Sequence, residues 1–239
     1  MLDISTAAFW IAVLQIILID ILLGGDNAVV IALACRKLPP EQRKKGIFWG
    51  VMGAIGLRIV LIFFALQLLA VPWLKIVGAL LLFWIGVKLL LPEGDDHGDV
   101  AAPSSLAGAI KTIIVADAVM SMDNVIAVAG AANGSMLLVT LGILVSIPIV
   151  VWGSQLVLKL MDRYPIVITA GGALLGWIGG GMIVTDPALP AGLLDGIPYA
   201  KTLAALAGAA LVVIIGKWLS LRAKPRAAVE LTAHDSTKG

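Results

Sequence analysis

Seven apolar runs, separated by short polar segments, dominate the chain: residues 9–35, 47–69, 71–91, 106–131, 136–160, 166–184 and 202–221. Each is about 20 residues or longer, the length that carries a helix across roughly 30 Å of hydrocarbon. The pattern predicts an all-α, polytopic membrane protein with seven transmembrane helices. Leu69 and Trp73 bound a very short connection that carries Pro72, which predicts a tight turn between neighbouring antiparallel helices. Residues 1–91 hold three spans and 106–185 three more. Between them lies an acidic loop at 92–105. A seventh helix at 200–222 and a polar tail at 223–239 close the chain.

Composition strengthens this assignment. The chain is 60% hydrophobic and 13% charged, with a mean hydropathy of +1.05. Soluble domains are about 45–50% apolar and about 25% charged. The net charge of +2 matters less than its placement. Arg36, Lys37, Arg43, Lys44 and Lys45 crowd the first connection, which puts it in the cytoplasm. Alternation then brings Lys88, Lys159, Arg163, Lys217, Arg222, Lys224 and Arg226 to the same side. The predicted orientation is N-terminus outside, C-terminus cytoplasmic. Asp3, the lack of a basic n-region and a long apolar run argue against a cleavable signal. The single Cys35 excludes an intrachain disulfide framework and a multi-cysteine metal site.

Against this apolar background one polar pattern occurs twice. Asp20 precedes Asp26-Asn27 by six residues, and Asp117 precedes Asp123-Asn124 by six, so each residue recurs 97 positions later (117 − 20, 123 − 26, 124 − 27). A carboxylate at the centre of a membrane helix costs roughly 2.5–3.5 kcal/mol even on the mildest scale, and such residues mark functional sites. Four carboxylates and two amides form an oxygen-rich set suited to a hard divalent cation. The likeness extends further. Arg58 and its neighbours align with Pro148 and its neighbours, and the run from Gly78 to Gly86 resembles that from Gly172 to Gly179. Three spans per copy force the second copy to enter the membrane in the opposite sense. That is an inverted-topology repeat, whose binding sites lie near the midplane at the repeat interface.

Residues four or seven apart share a helix face, so Asp20 aligns with Asn27, and Asp117 with Ser121 and Asn124. Asp26 and Asp123 point about a third of a turn away. Unwinding at Gly24-Gly25 would converge all three groups and free backbone carbonyls as ligands; close helix packing is the second reading of these glycines. Met120 and Met122 would favour softer metals if they ligate, and otherwise fill space. His97 and His234 lie outside the spans, so imidazole is missing from the set. Arg58 is the other charge deep in a span, read as a counter-charge to an empty-site Asp or as a snorkelling or structural residue. Lys75, Lys88 and Lys111 fall near span ends, where snorkelling is expected. Glu93, Asp95, Asp96, His97 and Asp99 make a solvated loop or a weak metal-collecting one.

The doubled pattern of Asp20, Gly24, Gly25, Asp26, Asn27 and Ala28 with Asp117, Met122, Asp123 and Asn124 resembles the TerC family of integral membrane proteins, in particular its YjbE/YkoY-type members. The resemblance covers about residues 5–220 and departs at none of the six polar positions. It implies membership of the lysine-exporter superfamily, a place in the bacterial inner (cell) membrane, and export of divalent metal, manganese in particular. It also implies that Asp20, Asp26, Asn27, Asp117, Asp123 and Asn124 bind the ion. No catalytic residue, cofactor or nucleic-acid partner is expected; Mn²⁺ enters as transported substrate, and the other partner is the lipid bilayer. Proton antiport is consistent with carboxylate ligands. Two other functions fit less closely: a membrane partner for metallation or assembly of exported proteins, and an intramembrane aspartyl protease. The second lacks the Gly-x-Gly-Asp spacing, because the chain reads Gly24-Gly25-Asp26.

Overall fold

A computed structural model describes residues 7–64, 68, 71–91, 105–131, 136–190 and 197–223. Among these the protein is all-helical, with seven long helices: α1 Ala7–Cys35, α2 Pro40–Phe63, α3 Leu74–Leu90, α4 Leu106–Ala131, α5 Met136–Arg163, α6 Ile166–Ile183 and α7 Ala200–Ala223. Among the described residues, four segments are long and apolar enough to cross a membrane: Pro40–Ile62, Leu144–Arg163, Ile166–Ile183 and Ala200–Arg222, with Gly25–Cys35 a shorter apolar stretch. Large apolar side chains such as Trp152, Ile166, Ile214 and Leu221 face outward. A soluble monomer seldom presents so much contiguous apolar surface. The acidic loop (except Ser105) and the tail beyond Ala223 lie outside the described residues.

Local chemistry sets the helix ends. Pro40 occupies the first turn of α2, where its missing N–H costs nothing and its fixed φ suits the helix. The helix therefore starts ahead of the apolar run that predicts it, and Arg43 lies in its opening turns. Arg43 donates to Leu38 O (3.0 Å), Arg36 O (2.8 Å) and Asp162 Oδ2 (2.9 Å), tying the basic connection to the end of α5. Lys37 donates to Leu91 O on the same side. Lys88 lies 4.9 Å from the Trp84 ring centroid, an arrangement that keeps its charge at the span end.

The packing departs from chain order. α2 packs mainly on α4, α1 on α5, and α3 on α6, while α7 lies against α6 and α3. The expected hairpin of α2 with α3 is not the main pairing of either helix. The reason lies in shape: Gly50 and Gly53 leave hollows on α2 that Ile113 and Ile114 of α4 fill. α6 and α7 meet backbone to backbone through Gly176, Gly180, Ala204 and Gly208, the small-residue contact of membrane helices.

One polar contact links distant segments. α3 has no side-chain cap of its own, and its N-cap Trp73 adopts φ 69°. Asp186, just beyond α6, supplies the cap. Its carboxylate accepts from the N–H of Trp73 (2.9 Å), Lys75 (2.9 Å), Ile76 (3.1 Å) and Ala188 (2.7 Å). Burial alone would raise the Asp186 pKa, but the four N–H donors outweigh it and hold the carboxyl below the usual carboxylate range. A depressed folded-state pKa gives stability that is complete above the unfolded value of about 3.9 and lost as pH falls through the folded one. We expect thermal stability to show no Asp186-dependent loss from pH 8 down to about 5. Asp186→Asn is expected to cost about 1–3 kcal/mol throughout that range by opposing an amide NH₂ to backbone donors. An unchanged melting temperature in this variant at pH 7 would contradict the capping role.

Candidate cation site at the junction of four helices

Four helices, α1, α2, α4 and α5, contribute to the site. The buried C-terminal half of α1 carries Asp26 and Asn27, α2 carries Arg58, α4 carries Asp117 and Ser121, and α5 carries Ser146. Asn27, Arg58, Asp117 and Ser146 line a cavity of about 20 Å³ whose remaining wall includes Ile31 and Ile147. That is room for about one water-sized particle. Apolar walls weaken screening and so strengthen every charge interaction inside.

A buried ion pair occupies one wall. Arg58 Nη2 donates to Asp117 Oδ1 at 2.5 Å, and both residues are buried, at 8% and 6% exposed. Arg58 Nε donates to Ser121 Oγ at 3.1 Å, and the Ser121 hydroxyl donates to Asp117 Oδ2 at 3.1 Å. Asp117 and Ser121 are four residues apart and so neighbours on one helix face. Removing one partner of such a pair costs about 3–5 kcal/mol, because a buried charge is left uncompensated. Two other oxygens differ: Asp26 Oδ1 and Asn27 Oδ1 are buried and accept no hydrogen bond from the protein. Buried polar oxygens are nearly always satisfied, so this pair of acceptors stands out as a place for a cation. Asp26 also feels the charges of Asp117 and Arg58.

Of the six expected ligands, Asn27 and Asp117 line one cavity, and Asp26 adjoins it. Asp20 lies in α1, and Asp123 and Asn124 lie in α4; their side chains fall outside the described residues. Among the described residues no three acidic, His or Cys side chains form a metal cage on their own. The break expected at Gly24-Gly25 is a correction: α1 is continuous from Ala7 to Cys35. Helix continuity keeps the backbone hydrogen bonds internal, as hydrocarbon demands. Close packing does not explain Gly25 either, since a Cβ there would meet nothing within 4 Å. Met120 sits in the hydrophobic core. Arg58 is paired inside the protein and does not snorkel. Ser146 is the residue that sequence reasoning missed; a lone hydroxyl two residues before Pro148 was its only signal.

Long apolar helices with outward-facing aliphatic side chains, closed around a buried charged cavity, define a multi-pass helical membrane protein. The sequence comparisons give the family: residues 5–224 match the TerC family of integral membrane proteins. The chain belongs to that family. It is 45% identical over 181 residues to the membrane protein YjbE of Bacillus subtilis (strain 168), covering 76% of this chain and 83% of the relative. It is 26% identical over 190 residues to YkoY of the same organism, covering 71% of this chain and 58% of YkoY. The Escherichia coli (strain K12) inner membrane protein YgdQ is 25% identical over 173 residues, covering 65% and 73%. No solved structure matches the chain.

Proposed function

We propose that the protein is a secondary transporter that exports a divalent cation, manganese in particular, from the cytoplasm. The observation that carries this reading is the convergence of Asn27 from the first copy of the motif and Asp117 from the second on one buried cavity. Oxygen ligands without thiolate or imidazole suit a hard or borderline ion; manganese within that class comes from the family resemblance. Asp20, Asp123 and Asn124 join the set through their places in the repeat.

The proposed architecture is seven spans in two inverted three-helix repeats plus α7, with the N-terminus outside and the C-terminus in the cytoplasm. The packing supports it. Exchanging the copies (α1 with α4, α2 with α5, α3 with α6) turns the α1–α5 contact into α4–α2, while α3–α6 and α1–α4 map onto themselves; all four are contacts of this fold. Sites at such an interface open alternately to the two sides. Deprotonated carboxylates bind metal, so binding releases protons, and inward proton flow can drive export.

Manganese accumulation tests the proposal in cells. Bacteria loaded with manganese and expressing the wild type are expected to hold less of it, by elemental analysis, than cells expressing Asp26→Asn at equal protein level. Equal contents in the two strains would contradict an export role.

A further inference from the structure

We infer that Arg58 is a built-in surrogate cation: its guanidinium holds Asp117 in the metal-free protein, and an incoming ion must displace it. The inference rests on reading the cavity as a cation site. Three observations carry it. Arg58 Nη2 sits 2.5 Å from Asp117 Oδ1, while Oδ2 of the same carboxylate accepts from Ser121, so both Asp117 oxygens are occupied. The cavity beside them measures about 20 Å³, too small for a hydrated divalent ion with the guanidinium still in place. Asp26 Oδ1 and Asn27 Oδ1, by contrast, accept no hydrogen bond from the protein. An ion drawn to these oxygens completes its coordination only by taking Asp117 from Arg58.

Electrostatics give the exchange its direction. Two positive charges in one low-dielectric cavity repel strongly, so metal and guanidinium exclude each other at Asp117. Without either, the carboxylates face one another uncompensated. Arg58 therefore does two things. It lowers metal affinity, which favours release on the far side, and it neutralises the empty site, which lets the unloaded protein change conformation. The repeat position of Arg58 holds Pro148, so only one copy carries the surrogate. Arginine suits the task because it stays charged and its planar fork matches a carboxylate.

The test measures Mn²⁺ binding by electron paramagnetic resonance, and flux in proteoliposomes, for wild type, Arg58→Met and Asp26→Asn. Arg58→Met is expected to bind Mn²⁺ at least about tenfold more tightly, to slow net efflux by a similar factor, and to retain exchange of Mn²⁺ for Mn²⁺. A purely structural role would instead weaken binding and slow exchange and efflux together. Removing the guanidinium leaves Asp117 buried without a counter-charge, so the variant is prepared with and without Mn²⁺, and folding only when Mn²⁺ is present supports the exchange. If it folds in neither condition, Arg58→Lys decides. It keeps the charge but not the fork, and binding tighter than wild type supports the inference, while equal or weaker binding overturns it. Unchanged or weaker binding in folded Arg58→Met, with binding lost in Asp26→Asn, overturns the surrogate role alone. Wild-type binding in Asp26→Asn removes the cation site itself.

Discussion

We expect Asp26→Asn and Asp123→Asn each to abolish metal flux while leaving the fold and membrane insertion intact. Asp26 carries a buried oxygen that accepts no hydrogen bond, so neutralising it removes a charge without breaking a contact at that atom. Asp123 occupies the matching repeat position. Asp117→Asn behaves differently. It strips the counter-charge from buried Arg58, and breaking such a pair costs about 3–5 kcal/mol, a large part of a typical total stability of about 5–15 kcal/mol. That variant is expected to lose both flux and thermal stability. Flux in proteoliposomes beside thermal unfolding in detergent separates the cases. Near-normal efflux in both Asp26→Asn and Asp123→Asn would remove the site assignment.

The second large effect lies outside the residues that line the cavity. Gly180→Val is expected to drive α6 and α7 apart and sharply reduce the yield of folded protein. A Cβ on Gly180 would lie 2.1 Å from the carbonyl oxygen of Ala204 and 2.9 Å from Ala205 Cα. These are backbone atoms, which cannot rotate away as a side chain would. Overpacking in an adaptable core costs about 1–3 kcal/mol, and here the helices themselves must separate, so the loss is expected at or beyond the upper end. Gly181→Ala is the control. Its new methyl would meet only the Lys201 side chain, Cε at 3.6 Å and Cγ at 3.9 Å, ordinary contact with a flexible chain, and alanine raises helix propensity by about 1 kcal/mol over glycine. Monodisperse yield on size-exclusion chromatography checks both variants. Wild-type yield from Gly180→Val would show that α7 does not need its close seat on α6.

The helices were legible because hydrocarbon leaves the backbone few choices: every amide must be satisfied within its own segment, so apolar runs and their proline-bearing borders mark the elements closely. Asp26, Asn27, Asp117 and Arg58 were legible for the same reason, since charged and strongly polar side chains within such runs are rare. Pairing between helices was less so. α2 turns to α4 because Ile113 and Ile114 fit its glycine hollows, and hydropathy carries no information about that fit. Nothing local marks Asp186 as a cap, because its partners lie more than 100 positions away, at Trp73, Lys75 and Ile76. Gly24-Gly25 suggested a break from local freedom alone, and the continuous α1 shows that freedom need not be used.

Purified protein reconstituted in liposomes loaded with a manganese-sensitive dye, with a pH dye in parallel, tests the central claim most directly. The account predicts Mn²⁺ entry on wild-type vesicles, proton movement in the opposite sense, and neither signal with Asp26→Asn. Mn²⁺ flux equal in wild-type, Asp26→Asn and protein-free vesicles would contradict transport through this site.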